Sequence, residues 1–242
     1  MIRLLEAGSL FIQETSVAHH TWKGGIPEEF LLNHQELYTI FPQLVLYPNL
    51  FYHNANGIRF ELGNPTLFKN VGLDDPNYLE SAYRKALTLF EAIHDSSDLI
   101  TWIVQVSPYK RTSGWKPVVH SGFVKYLKSP SLRYRLRCDR TPQYVEEHPY
   151  ATYTLSLTCT RQEIHYPALI RDICSHDVTD RPSFIHRTFF FNPRRKSLFH
   201  IYDDRGCDLI GETPDAIRDL YDDYKHWILN HDKNTIDQTF SL

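Results

Sequence analysis

The stretch TFFFNPRRKSLFHIYDDRGCDLI, residues 188–210, decides the fold. Three of its runs, 188–191, 197–202 and 207–210, are strand-like, built of aromatic and aliphatic residues. Asn192–Lys196 and Asp203–Gly206 separate them, each carrying the Asn, Asp, Pro or Gly that turns use. In the middle run Phe199 and Ile201 fall on one face and His200 and Tyr202 on the other. Consecutive strands joined by such short loops read as an antiparallel β-meander. After it, Thr213 as N-cap and Pro214 at the first helical position open a helix. Ile217, Leu220, Tyr221, Tyr224, Trp227 and Ile228 give that helix one apolar stripe.

Upstream, GIRFELG (57–63) alternates, with Ile58, Phe60 and Leu62 on one face and Arg59 and Glu61 on the other. Asp75 and Pro76 start a helix whose Leu79, Ala82, Tyr83, Ala86, Leu87, Phe90 and Ile93 repeat at three- and four-residue spacing. LITWIVQV (99–106) reads as a central strand. LRYRLRC (132–138) and TYTLSLTC (152–159) alternate like two more, and YPALIRDIC (166–174) is a short helix. A further helix opens at Pro27 and stops before Pro42, and 107–117 is loop. The fold class is α+β: a mostly antiparallel sheet with helices packed on it, ending in the meander and its amphipathic helix.

The 242 residues are 42% hydrophobic and 14% aromatic, enough for a substantial core. A formal net charge of -3 gives no global attraction to nucleic acid or anionic lipid. The N-terminal run is broken by Glu6 and makes a poor signal peptide, and no stretch approaches the roughly 18 apolar residues of a membrane span. Cys138, Cys159, Cys174 and Cys207 lack metal or redox spacing and read as reduced, partly buried thiols. These features lead us to expect a cytoplasmic protein without membrane contact.

The DDRG turn admits two readings. In one, Asp203 and Asp204 bond nearby amides, Arg205 is solvated and Gly206 takes a left-handed conformation, which accounts for the motif fully. In the other, Asp203, Asp204 and Asp208, with His200 or Tyr202 near, hold a divalent ion or act as acid and base. Arg59 and Glu61 project from one strand face and need partners if that face is covered. We expect Asp203 or Asp204 to pair with an arginine outside the turn, Arg59 first.

HIYDDRGCDLI, the helix carrying LYDDYKHWIL and a terminal IDQTF are accompanied by FPQLVLYPNLFY (41–52), GIRFELG, ALTLFEAI and HYPALIRDIC (165–174). Together these resemble a family common in Bacillus-like bacteria, domain of unknown function 3885. The resemblance covers roughly Phe41 to Phe240. It implies a variable N-terminal extension with a helix over 1–40 and a single α+β domain over 41–242. No established reaction comes with it. It marks Arg59, Glu61, Tyr166, Pro167, Asp203, Asp204, Arg205, Gly206, Asp208 and Trp227 as recurrent positions.

Other constellations are weaker. Arg133, Arg135 and Arg137 on one strand face suit phosphates, but an outward edge strand explains them as well, so nucleic acid is not the expected partner. Thirteen histidines show no metal spacing, and no Walker loop or nucleophile elbow occurs. No cofactor and no metal are expected. Asp215, Asp219, Asp222 and Asp223 lie off the apolar stripe of the last helix. They suit a basic protein partner such as a toxin, or simply keep the helix face soluble. The leading expectation is a non-catalytic protein-binding module, such as an immunity or antitoxin-like protein. The alternatives are a metal-dependent enzyme acting on a phosphate-containing substrate through DDRG, and a nucleic-acid binder through the arginine strand.

Overall fold

The meander forms as three adjacent strands, Arg187–Asn192 (β6), Ser197–Ile201 (β7) and Gly206–Gly211 (β8). The computed structural model describes residues 14–15, 34–46, 49–63, 76–106, 122–145, 148–176 and 186–241, without the side chains of 14–15, 76 and 140–152. In chain order the other strands are Glu14–Thr15 (β1), Gly57–Glu61 (β2), Leu99–Val106 (β3), Arg137–Val145 (β4) and His148–Thr160 (β5). All eight join one sheet in the order β1-β4-β5-β3-β6-β7-β8-β2. Every pairing is antiparallel except the two-residue edge contact of β1 with β4. LITWIVQV is central, as its β-branched and aromatic content implies. GIRFELG closes the far edge against β8, although about 150 residues separate them in sequence.

Helices Gln35–Ile40 (α1), Pro76–Ile93 (α2), Tyr166–Cys174 (α3), Arg218–Tyr224 (α4) and Lys233–Phe240 (α5) cover the sheet unequally. One face, carrying Phe60, Trp102, Leu157, Phe190, Phe199 and Leu209, packs on α2, α3, α4 and α5. The other face carries Ile103, Phe189, Phe191, Leu198 and Ile210 and packs on α1 and on Leu44, Leu46 and Leu50. The meander strands are thus buried on both sides, which is why they read as nearly continuous apolar runs.

Several local expectations need correction. Residues 132–136 are not strand: Pro130–Arg135 is a 3-10 helix and β4 begins at Arg137. Ser129 accepts from the Ser131 amide and Pro130 holds the first position. Those are helical signals that the period-two pattern concealed. Thr213 makes no side-chain cap, and the helix after it is a 3-10 turn, Pro214–Ile217, before α4 and another, Lys225–Trp227, behind it. Gly206 does not take a left-handed conformation; Lys196, φ 52°, is the non-glycine residue that does so among those described. Gly206 is needed for space instead. A Cβ there would meet the Phe60 carbonyl oxygen at 2.8 Å and collide with the Tyr202 hydroxyl. The helix expected from Pro27 is seen only as α1, and its first turns, with the Asp75 cap and the 107–117 loop, lie outside the described residues.

Candidate functional site

Strand register builds the polar site. Arg59 on β2 faces Asp208 on β8, and Asp208 faces His200 on β7. The row continues through Phe189, Ile103 and Ser156 to Arg137, crossing seven strands on one face. Side chains directly opposite lie close enough to interact, so the register alone brings Arg59, Asp208 and His200 side by side.

Asp208 is fully buried. One of its oxygens accepts from Arg59 Nε at 3.0 Å and the other from the Phe51 amide at 3.1 Å. Burial pushes this carboxyl above its ordinary value, and the Arg59 guanidinium pulls the other way. Burial weighs most heavily against the Arg59 charge, but Asp208, Tyr202 and Tyr52 together outweigh it and the guanidinium pKa is raised. The Arg59 guanidinium lies 4.6 Å from the Tyr52 ring centroid and 5.6 Å from that of Tyr202. Tyr52 donates its hydroxyl to Asp232, 3.2 Å away. His200 Nδ1 sits 2.7 Å from the Thr188 carbonyl, which can only accept, so that nitrogen carries the proton. Burial pushes this imidazole down to about 4.

The DDRG carboxylates do other work. Asp203 accepts from the Arg205 amide and from its Nε, both at 2.8 Å. Asp204 is buried and accepts from the Tyr78 hydroxyl at 2.7 Å. Burial raises the Asp204 carboxyl pKa, while the Tyr78 bond opposes the rise. The expected pairing of Asp203 or Asp204 with Arg59 is therefore not what the structure has: Arg59 takes Asp208. Glu61 is half-buried, and its backbone carbonyl accepts from Lys85 Nζ at 3.1 Å. Cys207 is fully buried, which holds its thiol well above the ordinary range and makes it unreactive. Among the described residues, no three of His, Cys, Asp and Glu are placed to hold a metal ion.

The expected surface sites fare differently from one another. Asp219 binds Arg195 through both oxygens at 2.8 Å, and Asp215 pairs with Arg218 at 3.0 Å. Asp222 and Asp223 stand exposed and make no ion pair with any described residue. The Pro193–Lys196 turn is a clamp: Arg194 binds Asp95 and buried Asp98, and Lys196 binds Glu212 at 2.7 Å. Arg135 and Arg137 line a groove of about 670 Å³ together with His34, Tyr134, Thr101 and Thr158. Arg133 stays outside it, against the Tyr134 ring.

Sequence reasoning missed Tyr78, Tyr52, Phe51 and Asp232 as partners of the polar motifs, because nothing local joins them to strands far away in the chain. It also missed the groove. One signal was available: Thr154, Ser156 and Thr158 put hydroxyls on one face of β5 while Leu155, Leu157 and Cys159 fill the other.

A family model described as domain of unknown function (DUF3885) matches residues 33–232, most of the chain. The chain belongs to that family. The DUF3885 region holds Arg59, Asp208 and the DDRG turn. A relative from Bacillus subtilis (strain 168), "Uncharacterized protein YnaE", is 24% identical over 199 residues, covering 78% of this chain and 92% of that protein. No solved structure matches. No helix among the described residues is long and apolar enough to cross a membrane.

Proposed function

We propose that this DUF3885 protein is a non-catalytic binding module whose acidic C-terminal face receives a basic protein partner, in the manner of an immunity or antitoxin-like protein. One observation carries the reading. The carboxylates of the most chemically suggestive motif are spent on the protein's own groups: Asp203 on Arg205, Asp204 on Tyr78, and Asp208 on Arg59 and the Phe51 amide. A metal or a substrate would have to share those oxygens with the Arg205, Tyr78, Arg59 and Phe51 donors, and each buried donor it displaced would cost about 1–3 kcal/mol. Asp222 and Asp223 on α4 carry no such obligation and present negative charge to solvent. Complementary charge at such a face speeds encounter with a cationic partner and falls away with salt.

The test is titration of the purified protein with the products of the genes flanking its own, at low and at high salt. The expected result is a complex whose association slows several-fold in Asp222→Asn/Asp223→Asn at low salt, with the difference gone at high salt. Metal-dependent turnover of a phosphate ester, abolished by Asp204→Asn in a variant that still folds, would replace this reading with the enzymatic one.

A further inference from the structure

The 3-10 turn at residues 130–135 changes what the arginines mean. Their ordinary explanation was the outward face of an edge strand. They instead occupy a 3-10 turn and the start of β4, with Arg135 and Arg137 at the mouth of a concave surface. We propose that this groove is a binding site for a single nucleoside monophosphate, its base stacked on Tyr134 and its phosphate held by Arg135 and Arg137. The proposal is independent of the acidic-face reading, because the residues that carry it are different.

Position and size come first. Over β6, β7 and β8 this face of the sheet is filled by the apolar cluster under α1 and Leu44 to Leu50. Over β3 and β5 the floor turns to hydroxyls, with Thr101 and Thr158 bonded to each other at 3.2 Å and Ser156 beside them. About 670 Å³ is left there, within the roughly 300–1,000 Å³ typical of small-ligand sites. Hydroxyls that both donate and accept suit the ribose.

The rim supplies the rest. Tyr134 is 62% exposed, a large aromatic left in solvent. One face of its ring is taken by the Arg133 guanidinium at 4.8 Å, and Arg133 also donates to its hydroxyl at 2.7 Å. A tyrosine fixed from one side is a ready platform for a planar base on the other. Arg135 is fixed too: one terminal nitrogen binds Glu163 at 3.1 Å and the other donates to the Thr158 carbonyl. A guanidinium held in place loses little freedom on meeting a phosphate.

Charge sets the size of the ligand. Glu163 offsets Arg135, and Glu36 also lines the groove, so the site suits one phosphate better than three. A nucleic-acid strand would need a longer basic track, and the chain as a whole carries -3.

Thermal shift and calorimetry on the full chain test this with AMP, GMP, CMP and UMP as probes, beside adenosine, inorganic phosphate, ATP and a short oligothymidylate. At least one monophosphate is expected to bind and raise Tm, more tightly than adenosine, phosphate or ATP. Tyr134→Ala should weaken it by roughly 5- to 150-fold, the usual worth of one base–aromatic stack, while Tyr134→Phe largely restores it. Arg137→Gln should weaken it comparably, each variant's fold being checked by its own melt. Absence of binding by all four monophosphates at millimolar concentration, or equal affinity in Tyr134→Ala, would overturn the proposal. Binding of the oligonucleotide alone, steeply salt-dependent, would overturn it in favour of a single-strand binder.

Discussion

Gly206 shows how a residue can be read correctly as indispensable and wrongly as to why. A glycine after two aspartates and an arginine looks like a left-handed turn position. Its backbone has no such need, and the demand comes from Phe60 on β2, whose carbonyl leaves no room for a Cβ. Gly206→Ala is therefore expected to destabilise the protein by about 1–3 kcal/mol through overpacking, measured by urea unfolding. A neutral result would mean that β2 can move off β8. The same distance in sequence hid the partner of Arg59. The alternation of GIRFELG disclosed which face Arg59 occupies. Only the register of β2 on β8 makes Asp208, rather than Asp203 or Asp204, its opposite number. Tyr78 is the remaining case: its bond to buried Asp204 unites a helix and a turn 126 residues apart, a pairing that no local pattern encodes.

Elements with strong periodicity were legible, and short ones were not. The meander, β3 and Tyr166–Cys174 fall where their patterns put them. LRYRLRC failed because seven residues satisfy a period of two and a helical turn equally, and Pro130 decides between them. The segment after Thr213 failed in another way. Its stripe is real, with Ile217, Leu220 and Ile228 buried, but the helix is interrupted, and Trp227 lies in the 3-10 turn Lys225–Trp227. Trp227 is only half-buried, stacked on Tyr224 at 5.0 Å with Lys85 Nζ 5.9 Å from its ring centroid. A large aromatic deep in a core costs about 3–5 kcal/mol on removal. Trp227→Ala should cost about 1–3 kcal/mol instead, in proportion to the area it covers. A full core penalty in thermal melts would show that the indole is covered more completely in solution.

At the scale of the molecule, burial of both sheet faces places imidazoles where water cannot reach them. His94 and His200 are pushed by burial down to about 3 and about 4, against an ordinary value near 6.5. The unfolded chain takes up protons as pH falls below about 6.5 while the folded protein resists. The stability that these residues contribute is therefore whole above that pH and is lost as pH falls through the folded values. Asp204 and Asp208, raised by burial, work in the opposite sense and soften the loss at its acid end. Between pH 6.5 and 5, unfolding free energy should drop by about 1 kcal/mol per pH unit for each imidazole; because burial also lowers His186 to about 4, His200→Gln should flatten the slope by about a third. A flat profile would mean that these rings are hydrated. The row that contains His200 also carries the central claim: the polar motifs form an internal lock joining β2, β8 and the chain at Phe51. A double-mutant cycle on Arg59 and Asp208, read by urea unfolding, tests it most directly. Arg59→Met should cost about 3–5 kcal/mol, because a buried carboxylate loses its cation, and Arg59→Met/Asp208→Asn should recover a large part of that loss. An Arg59→Met variant as stable as the parent, with no gain from the second substitution, would contradict the lock and return Asp208 to the list of groups awaiting a ligand.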